Sequence, residues 1–360
     1  MTTTHGTLRR VLVTVVTAAL VCAIGGCSSK SEDGPDTQSK SGTFANKDVN
    51  EITSLPELTR TQQAREMVSQ TEDQINGRLT LLSALADECA TCSLALDSAL
   101  VASSERLQLA GGLWDPWGGF QQRPWSSNQV QLLNPIPEPG FTVESVAGYM
   151  GETAKSQLQA MAEAESVPAS QRLTFSSLLI ERMISASLLA EEFGFQLGEA
   201  TARLTDEGTP SFVIDGAPSP APSEESPQSE GQLSLEQQSL VQFDCVYGEL
   251  IRNISVNEDE AQTENAIRFA QGIQDRTVSL SALGISDHRL TRCSLASTDP
   301  SDLLAELVRI DAGLLGSDNG EIRRLASQWV FADVESLVTD YPERAQSLTL
   351  VNSISAVDAE

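Results

Sequence analysis

Histidine is almost missing from this chain: only His5 and His288 occur in 360 residues. His5 falls in an N-terminal stretch that reads as a removable leader, and His288 follows Ser286 and Asp287 in a loop, where an exposed or capping role is expected. One imidazole leaves few routes to a Ser-His-Asp triad, and no Gly-x-Ser-x-Gly elbow appears. Lysine is nearly as scarce. Beyond residue 55 the only one is Lys155, which removes Ser-Lys and Schiff-base chemistry anywhere else. Basic charge as a whole is short, with 23 Lys and Arg against 50 Asp and Glu. Without Arg9 and Arg10 the balance becomes 21 against 50, a net charge of −29. Such an excess argues against nucleic acid and anionic headgroups as partners of the body, and leaves cationic peptides, metal ions and basic proteins open. Strand-like alternation is nowhere sustained, which points to an all-α chain.

Long apolar runs are also lacking, with one informative exception. Arg9 and Arg10 precede the apolar stretch Val11 to Ile24, which ends in Gly25, Gly26 and Cys27. The run falls short of the roughly 20 residues that span hydrocarbon, and the two glycines spoil a helix end. A basic start, an apolar core and the order small, small, Cys resemble the lipobox of a bacterial lipoprotein signal. That resemblance implies cleavage after residue 26, a diacylglycerol thioether on Cys27, and acyl chains that anchor the mature chain to the extracytoplasmic face of the cell membrane. At about 0.8 kcal/mol per buried methylene, two or more chains hold a protein there stably. Arg9-Arg10 leaves both Sec and twin-arginine export open. Residues 27–55, rich in Ser, Lys, Asp, Gly and Thr, read as a flexible tether.

Four cysteines remain once Cys22 and Cys27 are set aside: Cys89, Cys92, Cys245 and Cys293. Outside the cytoplasm an even set suggests two disulfides, for which three pairings exist. Cys89 with Cys92 and Cys245 with Cys293 is the favoured one; the second would close a long loop, a constraint of roughly 4 kcal/mol in the chain-entropy picture. Cys89-Ala-Thr-Cys92 is read as a structural staple inside a helix, because Leu79, Leu82 and Leu85 precede it and Leu96, Leu100 and Leu107 follow it at helical spacing. A redox pair or a metal pair is the alternative. A redox pair would need a helix that starts at the first Cys, so that its dipole lowers the thiol pKa.

Apolar periodicity divides the body into two helical regions. In residues 56–207, a pattern opening at Pro56 runs through Met67, Ile75 and Leu85 to about Leu109. A Trp, Pro and Gly loop follows at 111–140, and patterning resumes over Val143 to Ala164 and from Leu173 past Phe195 to Leu204. Asp115-Pro116 favours a tight turn presenting Trp114 and Trp117, so Trp114, Asp115 and Trp117 form the candidate binding surface for a sugar, peptide or cation, or else an anchor of the loop on the bundle. Residues 208–232 are Pro-, Ser- and Glu-rich and read as a disordered linker. In 233–354 four helix-sized pieces appear: Leu235 to Ile254, Ala266 to Leu283, Leu303 to Leu314 and Ile322 to Tyr341. Short connections between them favour an up-and-down bundle.

An internal echo joins the two regions. Ile75, Arg78 and Leu82-Ser-Ala-Leu85 match Ile273, Arg276 and Leu280-Ser-Ala-Leu283, while Cys92-Ser-Leu-Ala95 matches Cys293-Ser-Leu-Ala296. This suggests two related helical halves.

With Gln237 to Tyr247, Gln271-Gly-Ile-Gln-Asp-Arg276 and Trp329 to Tyr341 in these positions, the C-terminal block resembles the ferritin-like bundle domain of unknown function of actinobacterial envelope proteins. The resemblance implies a four-helix bundle and brings no activity with it. A di-iron centre would need a Glu-x-x-His on each of two helices, which one histidine cannot supply. Glu181, Glu191 and Glu192, or Glu249 with Asp244, read as solvated faces rather than acid-base pairs. The expectation is therefore a membrane-anchored, noncatalytic helical module that contacts an envelope protein, with no catalytic residue, no metal and no cofactor. A redox or metal-handling protein using Cys89 and Cys92 is the alternative.

Overall fold

Thr59 and Gln62 open the first helix by trading hydrogen bonds: the Gln62 amide donates to Thr59 Oγ1 and the Thr59 amide to Gln62 Oε1. This capping box satisfies two backbone donors that the first turn leaves without partners. The computed structural model describes residues 58–85, 90–113, 139–200, 212–214, 233–256, 260–287, 293 and 295–351. Among them the fold is all-α, with only an isolated bridge at Thr59. Helix α1 spans Arg60–Leu85, α2 Ala90–Leu109, α3 Val143–Glu163 and α4 Ala169–Phe193. A second set follows: α5 Leu235–Val256, α6 Glu260–Ala282, α7 Pro300–Leu314, α8 Gly320–Asp340 and the short α9 Pro342–Gln346. Residues 197–200 are also helical.

The helix ends follow from local chemistry. Ser234 and Gln237 repeat the capping box at the start of α5. Thr142, Asp299 and Asn319 cap α3, α7 and α8 with side-chain oxygens, and Pro300 takes the first position of α7, where its missing N–H costs nothing. Gly194, at φ 69°, ends α4 in the left-handed region that a side chain would strain.

Helices α1 to α4 pack as one bundle, α1 on α2 and α3, and α4 on α2 and α3; α5 to α8 form another, with α5 on α6 and α7, and α7 on α8. The two share a core. Helix α8 lies against α3 and α4, so Leu158, Phe175 and Leu178 join Phe243, Leu307 and Val330 in one buried apolar cluster. By length and composition α4 could cross a membrane, but 61% of its apolar window is buried inside this body.

Two details differ from the sequence reading. The capping box starts α1 at Arg60 instead of at Pro56, which lies outside the described residues. The pattern running to Leu109 is two helices, since α1 ends at Leu85, α2 begins at Ala90 and the two pack together, with Asn76 on Ser104 and Ser83 on Asp97. Helical spacing is the same in both, so periodicity alone does not reveal the boundary.

Candidate functional site

Cys245 and Cys293 are bonded, with an S–S distance of 2.05 Å and 48 residues between them in sequence. Cys245 is buried midway along α5, and the bond sets Cys293, which follows α6, against the middle of that helix. Cys92 lies in the first turn of α2, which corrects the placement of the Cys89-Ala-Thr-Cys92 motif in the middle of a helix. Cys89 and the side chain of Cys92 lie outside the described residues, as do Cys27, Trp114, Asp115, Trp117 and His288. Glu191 and Glu192 are exposed on α4, whereas Glu249 is buried and binds Arg252 at 2.7 Å. Lys155 is exposed on α3.

The polar chemistry of the body sits in two buried centres that sequence reasoning did not single out. In the first, Glu72 of α1 accepts hydrogen bonds from Arg106 Nε of α2 at 2.9 Å and Arg182 Nε of α4 at 2.7 Å, while Ser103 Oγ donates to its other oxygen at 2.9 Å. Arg182 also donates to Gln157 Oε1 and to the Val68 carbonyl, and Gln157 passes the chain on to Thr71. Glu72 and Arg182 are wholly buried. Burial opposes ionisation of Glu72, but Arg106 and Arg182 outweigh it and hold the carboxyl below its ordinary pKa. This layer divides the apolar interior of the first bundle. Met67, Val68 and Leu178 lie in the main core, and Ile75, Leu96, Met150 and Leu189 form a separate cluster.

The second centre joins Arg276 of α6, Asp311 of α7 and Asp333 of α8. Arg276 donates to Asp333 Oδ1 at 2.8 Å and lies 3.3 Å from Asp311 Oδ2. Its guanidinium carbon is 5.8 Å from the ring centres of Phe243 on α5 and Trp329 on α8, which wall the site. Burial favours the neutral form of Asp311 and places its pKa well above the ordinary value; Asp333 is raised for the same reason, with Arg276 acting against the shift in both.

A third junction ties the bundles together. Arg172 donates to the Gly316 and Ser317 carbonyls and to Asp318, while Arg323 donates to Ala162, Ser317 and Asp318 carbonyls. Glu181, raised by burial, accepts the Leu350 and Val351 amides and fastens the end of the body to α4.

Sequence signals for these centres exist. Arg182 interrupts Leu178-Leu179-Ile180 and Met183-Ile184, and Asp311 stands inside Leu307-Val308-Arg309-Ile310-Asp311-Ala312. A charge on the apolar face of a helix demands a buried partner. The echoed arginines part company here: Arg78 donates to the Pro139 carbonyl and covers Phe141 at 3.7 Å, whereas Arg276 is interior. Helix α1 opens its bundle, but α6 is second in its own.

The arrangement fixes which helix faces meet. Its charged atoms are buried against one another, and no group of three His, Cys, Asp or Glu able to hold a metal ion occurs among the described residues. No family model, curated protein or solved structure matches the chain.

Proposed function

We propose that this chain is an extracytoplasmic lipoprotein, anchored through Cys27, whose helical body serves as a noncatalytic interaction or scaffold module of the cell envelope. The observation that carries the reading is the leader itself: Arg9-Arg10, Val11 to Ile24, and Gly25-Gly26-Cys27. The Cys245–Cys293 bond supports it, because structural disulfides persist in oxidising compartments. The acidic body and the structural character of its buried polar groups favour binding over catalysis. The Trp114, Asp115 and Trp117 segment is the surface proposed for an envelope partner.

Crosslinking in intact cells, followed by recovery of the full chain from membranes, tests the interaction. Expected are discrete crosslinked products that weaken in a Trp114→Ala, Trp117→Ala variant of equal stability. Unchanged products would remove that surface from the account, and an absence of products would count against the scaffold role.

Placement of Cys92 in the first turn of α2 favours one second reading, a redox pair, since a helix N-terminus stabilises a thiolate. Thiol titration of the native protein separates the two. A readily and reversibly reduced Cys89–Cys92 pair fits redox work, and a pair that resists reduction fits a staple.

A further inference from the structure

The centre at Arg276 has one negative charge too many. Two ionised carboxylates and one guanidinium carry a net charge of −1, yet the Arg276, Asp311 and Asp333 side chains are only 6%, 0% and 7% exposed. Removing an uncompensated charge from water is strongly unfavourable even after relaxation. Among the described residues, Arg276 is the one cation that acts on either carboxyl. Helix α5 contributes Phe243 and α8 adds Trp329, while α3, which packs on α8, and α4 and α9, which touch both α7 and α8, bring no charge from their described residues that acts on either carboxyl.

The two aspartates also differ in their bonding. Asp333 receives the Arg276 N–H at 2.8 Å, the contact an ionised carboxylate makes. Neither Asp311 oxygen receives a hydrogen bond from an N–H or hydroxyl donor; Arg276 is an ion-pair neighbour at 3.3 Å, and the remaining polar contact is with Asp333. A buried carboxyl beside a carboxylate and short of donors is relieved by becoming a donor itself.

We propose that Asp311 and Asp333 form a proton-binding site, in which the Asp311 carboxyl keeps its proton at neutral pH and donates it to the Asp333 carboxylate that holds Arg276. The chain of contacts then runs from α7 through α8 to α6, with a net charge of zero. Burial, the largest influence on Asp311, and the neighbouring Asp333 both favour this state, and Arg276 opposes it. Because the pair titrates as a unit, its raised value belongs to both groups together.

The linkage has a definite sign. The folded state holds a proton that the unfolded chain releases above the ordinary Asp value of 3.8, so stability falls as pH rises from there through the raised pKa of the pair. Alkali uncovers the buried charge and loosens α7 and α8 from α6. The bound proton thus acts as a closure of the second bundle.

Difference infrared spectroscopy of the full chain tests the site. Near neutral pH the wild type is expected to show the carbonyl band of a neutral buried carboxyl, shifted in heavy water. The band should disappear in Asp311→Asn, and in the wild type on raising pH through the raised pKa, where the fall in the denaturant midpoint that begins above the ordinary Asp value is complete. In unfolding experiments, Asp311→Asn should match or exceed the wild-type midpoint at neutral pH and lose the part of the decline that begins above the ordinary Asp value; Asp333→Asn should fall below both. No neutral-carboxyl band in the folded wild type would overturn the proposal. So would a midpoint that drops on chelation, which would put a metal cation where the proton is placed.

Discussion

At the scale of single residues, the two buried centres answer pH in opposite directions. The folded pKa of Glu72 lies below its unfolded value, so its contribution is present above the ordinary Glu value of 4.5 and is lost as pH falls through the lowered one. Asp311 and Asp333 lose theirs as pH rises. Replacing Glu72 by Gln keeps the shape but leaves Arg106 and Arg182 buried without a counter-charge, a change expected to cost about 3–5 kcal/mol. Urea unfolding would measure it, and the variant should also lose part of the acid sensitivity of the wild type. A loss under about 1 kcal/mol would show that the guanidinia find other partners and that Glu72 is not their organiser. These centres were only partly legible in the sequence. Arg182 and Asp311 stand out as charges within apolar runs, but Glu72 sits among Gln, Ser, Thr and Asp in α1, where nothing separates it from a solvated face. Which carboxylate meets which guanidinium depends on helices about 110 residues apart in sequence, a separation that no local pattern encodes.

At the scale of the element, the four helix-sized pieces of the second region correspond to α5 to α8, but α6 begins at Glu260, before the first apolar marker at Ala266, and only α5, α7 and α8 carry a boundary signal. Asp299-Pro300 and Asn319-Gly320 announce α7 and α8, and Ser234 to Gln237 announces α5. The division between α1 and α2 was not legible, since both share one periodicity. Substituting either capping hydroxyl, Thr59→Ala or Ser234→Ala, should lower stability by about 1 kcal/mol. Close approach gives a sharper test on α3. A Cβ on Gly148 would lie 2.8 Å from the backbone carbon and oxygen of Ala200, whereas one on Gly151 would find its nearest neighbour in the Leu197 side chain, at 3.4 Å. Both changes raise helix propensity by about 1 kcal/mol. Gly148→Ala should nevertheless destabilise, by about 1–3 kcal/mol, because backbone must move. Gly151→Ala should be close to neutral, and thermal unfolding of the pair checks the contrast.

For the whole molecule, the shared core and the Arg172 and Arg323 junction make the body Leu55–Glu360 one compact unit. Its disulfide constrains 48 residues of sequence separation, worth up to about 4 kcal/mol by loop-closure entropy. Cys245→Ser with Cys293→Ser should lower the denaturant midpoint accordingly while leaving the helical circular dichroism of the folded state unchanged. That such a bond is expected follows from the even number of cysteines and from the oxidising compartment that the leader implies. That Cys293 meets the middle of α5 depends on how the helices pack, which length alone does not encode. The central claim concerns residue 27, and mass spectrometry of the mature N-terminal peptide, from cells that process lipoprotein signals, tests it most directly. The account predicts a chain that begins at Cys27 and carries a diacylglycerol thioether, with a Cys27→Ser variant released from the membrane. A mature chain that starts elsewhere, or that begins at an unmodified Cys27, would contradict it.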